Sequence, residues 1–206
     1  MTDPTKLSDE DARRARYSLD TQDAAYRGGA YDYLESVDLS PRMAIMAAYI
    51  KRFGARRVLD IGCGFCDLLN YMDGDVGYIG VDISEAAVGK ARKRFAGRAD
   101  TAFHVVDFRD WTASGDAVDA VVWAGIARTW TRAGAKGDFA DWLEIVELAE
   151  RSLAPGGIVI FEMVTPHWPE LERLIEGRYD TLAGCDLDCL ADREESLRSI
   201  RVFRRE

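Results

Sequence analysis

Short apolar runs alternate with amphipathic segments along most of the chain. The runs predict strands at 58–61, 78–82, 102–106, 118–123 and 158–161. Apolar residues at helical spacing predict helices at 67–72, from Ser84 onwards, at 138–153 and at 169–175. Strands that alternate with helices in this way are typical of a parallel sheet in an α/β fold. In such folds, ligands bind beyond the carboxyl ends of the strands.

The two ends of the chain depart from this pattern. Residues 1–30 are polar and rich in arginine, and we expect an irregular or helical lead-in there. Ser40 as a cap and Pro41 in the first turn open a predicted helix, which Gly54 ends. Two further strands are predicted at about 179–190 and 197–203, and their short connection favours an antiparallel pair.

The composition narrows the classes of protein to consider. With 206 residues, of which 48% are hydrophobic, the chain suffices for one domain with a sizeable core. Its formal charge of −9 disfavours nucleic acid and anionic membranes as partners. The first residues lack the pattern of an export signal, and no apolar run is long enough to span a membrane. We therefore expect a cytoplasmic protein whose four cysteines are reduced.

A glycine-rich turn after the first strand carries the first chemical information. Gly62 and Gly64 allow the backbone to turn sharply and to approach a ligand closely. Asp82 ends the second strand, where a carboxylate can accept both hydroxyls of a ribose, and Asp107 follows the third strand. A dinucleotide site requires a glycine at position 67, but Asp67 stands there and would repel a pyrophosphate. A phosphate-free nucleoside with a cationic sulfur, such as S-adenosylmethionine, fits this pattern better.

Five segments, in order, resemble the motifs of class I S-adenosylmethionine-dependent methyltransferases. Residues 58–64, Val-Leu-Asp-Ile-Gly-Cys-Gly, are similar to the first motif, 81–84 to the second and 106–108 to the third. Residues 119–122 resemble the fourth strand of the family, and 153–157 resemble the turn before its fifth strand. The resemblance covers about residues 40–165. It implies an α/β, Rossmann-like, seven-stranded and mostly parallel sheet with helices on both faces and an antiparallel last strand.

The resemblance also implies a site for S-adenosylmethionine and its product, S-adenosylhomocysteine. The acid of the second motif holds the ribose, the acid of the third takes the adenine amino group, and the next residue packs on the adenine ring. The implied contacts are Asp60, Gly62, Cys63, Gly64, Asp82, Ile83, Asp107, Phe108 and Trp123. The family usually has a third glycine where this chain has Cys66. Either the loop accepts a small side chain there or Cys66 contacts the cofactor.

Candidates for a catalytic base lie after the fifth strand. His167 is placed where an imidazole can accept a proton at neutral pH, with Glu162 behind it. The alternative is that His167 is an ordinary loop residue. The other histidine, His104, lies among apolar residues of the third strand, where a hydrogen-bonded core histidine is expected.

Candidates for acceptor binding lie in two loops. Arg128 and Arg132, after the fourth strand, are either anchors for a carboxylate or phosphate on the acceptor or solvated loop residues. Tyr31, together with Tyr26 and Tyr33, forms either a lid over the cofactor or the packing of the lead-in. Two close cysteine pairs, 63/66 and 185/189, are interpreted as small buried residues, so we predict no metal site.

The predicted reaction is an in-line displacement of the methyl group onto a small-molecule acceptor, for example one of specialised metabolism. We expect a single methyltransferase domain with a lead-in or lid at 1–40, a cofactor-binding core at 41–165 and a C-terminal helix and strand pair at 166–206. A peptide or protein acceptor is the alternative. A nicotinamide-dependent oxidoreductase and a cofactor-binding protein without turnover are more remote interpretations.

Overall fold

The computed structural model describes residues 19–111, 117–125, 139–164, 168–189 and 197–205. The strands are β1 (Arg57–Ile61), β2 (Gly77–Asp82), β3 (Thr101–Val105), β4 (Val118–Ala124), β5 (Leu153–Val164), β6 (Tyr179–Asp188) and β7 (Leu197–Arg205). The helices are α1 (Leu19–Arg27), α2 (Ser40–Arg52), α3 (Glu85–Arg94), α4 (Phe139–Ser152) and α5 (Trp168–Ile175). Every strand that the apolar runs predict is therefore present. None of the described helices is long and apolar enough to cross a membrane.

The strands form one sheet in the order β3-β2-β1-β4-β5-β7-β6. Strands β1 to β5 pair in parallel, and β7 pairs antiparallel with both β5 and β6. The predicted seven-stranded sheet with an antiparallel last strand is confirmed. The chain order reverses between β1 and β4, and in open α/β sheets ligands bind at such a point, beyond the carboxyl ends of the strands.

Helices cover both faces of the sheet, as predicted. Alternate strand residues point to opposite faces, so each strand contributes to two cores. Leu59, Val121 and Val159 pack on the face covered by α4 and α5, while Val58 and Ile160 pack on the face covered by α2 and α3. Burial on both faces is the reason why these strands appear in the sequence as unbroken apolar runs.

Some local predictions are wrong in detail. Ser40 does not cap α2, because a 3₁₀ turn at Val37–Leu39 runs directly into the helix and the Ser40 hydroxyl donates to the Val37 carbonyl at 2.7 Å. The segment predicted as a helix at 67–72 is a 3₁₀ turn, Asp67–Asn70. The fifth strand is longer than predicted, since its start already pairs with β4 at Val118.

His104 is not the core histidine that its neighbours in the sequence suggest. It is exposed, because β3 is the edge strand of the sheet, and its ring packs against Trp111 at 5.2 Å between centroids. By contrast, the predicted cap at Ser84 is confirmed, since its hydroxyl oxygen accepts from the Ala87 N–H at 3.2 Å.

Candidate active site

Three residues with left-handed backbone shape the turn after β1. Gly62, Gly64 and Cys66 have φ angles of 67°, 52° and 58°. The N–H groups of Gly62 and Cys63 both donate to the Val81 carbonyl, at 2.8 and 3.0 Å, and thereby fasten the turn to β2. Glycine adopts this conformation without steric cost, whereas a residue with a Cβ, such as Cys66, pays roughly 1 kcal/mol.

Cys66 tolerates this conformation with its side chain turned into the core. The side chain is fully buried. A Cβ built on Gly80 would lie 3.0 Å from the Cys63 sulfur and 3.1 Å from the Cys66 sulfur, so both thiols lie against the backbone of β2. Contact with Cys66, together with burial, raises the pKa of Cys63 well above its usual value. The loop therefore has space for the side chain of Cys66 on its core side.

Asp82 joins this turn to the start of α3. Its Oδ2 accepts from the Gly64 N–H at 2.9 Å, and its Oδ1 accepts from the Ser84 N–H at 2.8 Å. Burial raises the pKa of Asp82, while these bonds and one from the Ile83 backbone act in the opposite direction. Each carboxylate oxygen has two acceptor positions, so these bonds leave Asp82 able to accept others.

Asp60 lies beneath the turn as a second buried acid. The Tyr78 hydroxyl donates to its Oδ2 at 2.6 Å. Burial raises the pKa of Asp60 to about 7, and the charge of Asp82 contributes in the same direction, whereas the Tyr78 bond and the charge of Arg42 oppose it. Two buried acids thus give this end of β1 and β2 a negative potential, which favours a cation.

The remaining predicted cofactor residues lie along the same edge of the sheet. Asp107 and Phe108 follow β3 and are half-buried. The Phe108 ring meets Trp123 of β4 edge to face, with centroids 5.3 Å apart. Trp123 itself is only 3% exposed and belongs to the core beneath α4 and α5, and its indole N–H has no hydrogen-bond partner in the described parts of the chain.

Helix α1 lies across the glycine turn. A Cβ on Gly64 would come within 3.0 Å of the Tyr26 hydroxyl, and the Tyr26 ring packs edge to face on Phe65 at 5.2 Å. Tyr31 lies behind Tyr26, with ring centroids 4.5 Å apart, and Tyr33 is 42% exposed. The sequence analysis gave Tyr31 as the candidate for acceptor binding, but the tyrosine that contacts the glycine turn is Tyr26.

Polar contacts hold this N-terminal segment in place. The Asp23 carboxylate accepts from the Ser84 hydroxyl at 2.9 Å and from the Ala86 N–H at 2.6 Å. Glu35 pairs with Lys90 of α3 at 2.6 Å and with Arg94 at 3.3 Å. The lead-in is thus attached to α3 at both ends of the segment that crosses the turn.

Glu162 is not a free base. Its Oε2 accepts from Arg42 of α2 at 3.1 Å and its Oε1 accepts from Arg198 of β7 at 3.2 Å. The carboxylate is fully buried, so both of its oxygens are engaged within the protein. Neither arginine was a candidate from the sequence, because nothing in a local pattern reveals a partner more than 30 residues away.

Three of the sequence candidates, His167, Arg128 and Arg132, lie outside the described residues. Within the described parts of the chain, no group of three or more histidine, cysteine or acidic residues is arranged to hold a metal ion. All four cysteines, in the two pairs noted above, are free thiols.

Comparison with known proteins agrees with this geometry. Residues 59–159 match the family model described as "Methyltransferase domain". Nothing among the curated proteins matches the chain. Magnesium protoporphyrin IX methyltransferase (ChlM) from Synechocystis PCC 6803, solved with bound SAM, superposes with a TM-score of 0.74 at 13% identity over 99% of this chain and 100% of that one.

A second solved structure shows the same architecture. The N-methyltransferase NodS from Bradyrhizobium japonicum WM9, in complex with S-adenosylhomocysteine, gives a TM-score of 0.68 at 14% identity. The match covers 85% of this chain and 91% of that chain. Identities this low establish a common fold, and that fold is the one expected from the sequence.

Proposed function

We propose that this chain, which is a class I S-adenosylmethionine-dependent methyltransferase, transfers a methyl group from S-adenosylmethionine to a small-molecule acceptor. The observation that carries the proposal is the turn after β1, in which left-handed Gly62 and Gly64 lie beside two buried acids, Asp60 and Asp82. A backbone cradle next to negative charge suits a nucleoside that carries a cationic sulfur.

The same turn argues against a dinucleotide. A pyrophosphate is normally held at the N-terminus of an α-helix, where free N–H groups and the helix dipole favour negative charge. Here the glycine turn leads into a four-residue 3₁₀ turn that begins with Asp67. Asp67 is paired with Arg94 at 2.7 Å, so the charge of that guanidinium is already balanced.

In the proposed complex, the residues that end successive strands hold successive parts of the cofactor. Asp82 accepts the ribose hydroxyls, Asp107 accepts the adenine amino group, and Phe108, supported by Trp123, packs on the adenine ring. The backbone of 62–64 approaches the cofactor closely, and Ile83 supplies apolar contact next to Asp82. Asp60, whose pKa is about 7 in the free chain, would ionise more readily beside the positive charge of the sulfonium.

The cofactor supplies a methyl group on a sulfonium that is already activated for attack. The protein therefore has to align the acceptor and to exclude water, and it needs a base only when the acceptor retains its proton. We assign the exclusion of water to α1, with Tyr26 above the turn. Because Arg42 and Arg198 engage Glu162, His167 is the base that we propose for such acceptors.

Two considerations support a small acceptor. The neighbour from Synechocystis is named for the methylation of magnesium protoporphyrin IX, which is a small molecule. The charge of −9 also disfavours nucleic acid. We propose a cytoplasmic enzyme of specialised metabolism, with peptide side chains as the alternative acceptor.

Thermal unfolding with S-adenosylmethionine, S-adenosylhomocysteine or NAD tests the cofactor assignment, since a ligand specific for the folded state raises the midpoint. We expect both methionine-derived ligands to stabilise the chain and NAD to have no effect. Stabilisation by NAD alone would overturn the assignment. Release of S-adenosylhomocysteine is then measured with panels of small molecules and of peptides, and turnover of peptides only would refute the small acceptor.

A further inference from the structure

A buried cluster of two arginines and one glutamate lies at the carboxyl edge of the sheet. Arg42 and Arg198 are 3% and 4% exposed, and Glu162 between them is fully buried. Each arginine uses one Nη1 group to contact a separate oxygen of the carboxylate. The cluster thus holds two positive charges against one negative charge.

The two guanidinium groups retain unused donors. The Nε atoms of Arg42 and Arg198 are both buried and have no hydrogen-bond partner among the described residues. A guanidinium has five N–H donors, and the edge formed by Nε and Nη2 is one that binds a carboxylate with two parallel bonds. A buried donor without a partner is costly, and a buried charge without a counter-ion is costlier still. The charge of Arg42 also acts on Asp60, but the two Nε edges themselves favour a further anion.

The position of the cluster favours the acceptor over the cofactor. Glu162 is near the end of β5, and Arg198 pairs with Val164 at the start of antiparallel β7. In the sheet order, β5 and β7 lie on the opposite side of β4 from the glycine turn and Asp82. Gly125, just beyond β4, borders the cluster, since a Cβ there would lie 3.5 Å from Arg42 Nη1.

From these observations we infer that Arg42, Arg198 and Glu162 form a binding site for a carboxylate group of the methyl acceptor. The inference rests on the proposed function and deepens it, because it names the acceptor class as small organic acids. Glu162 holds the two guanidinium groups in place through their Nη1 atoms, and their Nε edges receive the substrate carboxylate. The excess positive charge of the cluster is neutralised when the acid binds.

Formate, the smallest carboxylate, tests the site without knowledge of the acceptor. The thermal midpoint of the full chain saturated with S-adenosylhomocysteine is followed while sodium formate replaces sodium chloride at constant ionic strength. We expect the midpoint to rise with formate in the wild type. Glu162→Gln removes the negative charge and leaves one Nη1 group opposite an amide N–H donor instead of an acceptor, so its half-maximal effect should require about tenfold less formate.

Arg198→Gln should lose at least tenfold in formate affinity, as expected when a charged hydrogen-bond partner is removed. Arg201→Gln is the matched control on the same strand, because Arg201 is paired with Asp186 at 2.7 Å and its side chain is 20% exposed. This control should respond to formate as the wild type does. The site is refuted if formate acts no differently from chloride in both the wild type and Glu162→Gln, a comparison that does not depend on whether Arg198→Gln folds.

A second series separates the acceptor from the cofactor as the source of the carboxylate. S-adenosylhomocysteine carries a carboxylate of its own. If the cluster binds that carboxylate, formate should raise the midpoint only when S-adenosylhomocysteine is absent. Arg198→Gln would then also weaken S-adenosylhomocysteine binding tenfold or more. That result would overturn the acceptor assignment. If the carboxylate belongs to the acceptor, the affinity of Arg198→Gln for S-adenosylhomocysteine should change less than threefold. Failure of the wild type to bind S-adenosylhomocysteine at all would instead refute the proposed function, and the formate series on the ligand-free chain would still test the cluster.

Discussion

Asp60 is a buried carboxyl group whose ionisation opposes folding. In the folded chain its pKa is about 7, because burial disfavours the charged form more strongly than the Tyr78 bond and the Arg42 charge favour it. In an unfolded chain an aspartate titrates near pH ~3.9. Between these two values the folded state binds more protons at Asp60 than the unfolded state does. The free energy of unfolding therefore falls as the pH rises through this window.

Replacement of Asp60 by asparagine removes this titration. The amide retains an oxygen that can accept from the Tyr78 hydroxyl, so the local packing is conserved. A shift of about three pKa units corresponds to about 4 kcal/mol once the carboxyl is fully ionised, which is an upper limit for a site that relaxes. We therefore expect Asp60→Asn to become more stable than the wild type as the pH rises, with a gain that approaches this value above about pH 7.

Urea unfolding of both proteins without cofactor, at several pH values between about 4.5 and 8, measures the difference directly. Asp75→Asn serves as the control, since Asp75 is exposed and its pKa is lowered by its bond to Arg56. Removal of that carboxyl should give a small loss of stability that is nearly constant over this range, because the pKa of Asp75 lies below the range in both the folded and the unfolded chain. A gain for Asp60→Asn that does not grow with pH would refute the argument.

Four further expectations follow from the site. Asp82→Ala should weaken S-adenosylhomocysteine binding about tenfold or more in calorimetry, since a charged hydrogen-bond acceptor is lost, and unchanged affinity would exclude the ribose role. Gly80→Ala should lower the free energy of unfolding by roughly 1–3 kcal/mol, because its Cβ would lie 3.0 Å from both the Cys63 sulfur and the Tyr78 ring. Gly77→Ala, where the nearest atom lies at 3.6 Å, should be much milder, and equal losses in urea unfolding would contradict the contact argument. Cys66→Gly should be at least as stable as Cys66→Ala in the same assay although it is smaller, because glycine relieves about 1 kcal/mol at φ 58° and alanine does not. Tyr26→Ala should speed S-adenosylhomocysteine dissociation in stopped-flow experiments. Tyr26→Phe, which retains the ring on Phe65, should speed it less. Identical rates for Tyr26→Ala and the wild type would refute a covering role for α1.

The geometry of the turn after β1 and of the strand ends beside it was predictable because its information is local. The residues of the turn after β1 are consecutive, and glycine at 62 and 64 reports a backbone conformation directly. Asp82 is equally accessible to sequence reasoning, because a polar residue directly after an apolar run marks the end of a strand. The prediction of Ser84 as a cap succeeded for the same reason, since a cap involves only the next few residues.

Predictions failed where the neighbours of a residue come from distant parts of the chain. His104 has apolar residues on both sides in the sequence, yet it is exposed on β3, which is the edge strand of the described sheet. Glu162 was a candidate base until the fold brought Arg42 to it from 120 residues away. The importance of Tyr26 over Tyr31 and Tyr33 depends on how α1 crosses the turn.

The sequence alone thus determined the alternation of strands and helices, the glycine turn and the acids at the strand ends, because hydrophobic burial and backbone conformation act over a few residues. Only the tertiary structure decided the protonation of Asp60 and the excess positive charge beside Glu162. Both are properties of burial and of opposing charges, and both arise when α2, the sheet and the last strand pack together. Electrostatics in a buried site depends on distances between side chains, and those distances are set by the fold.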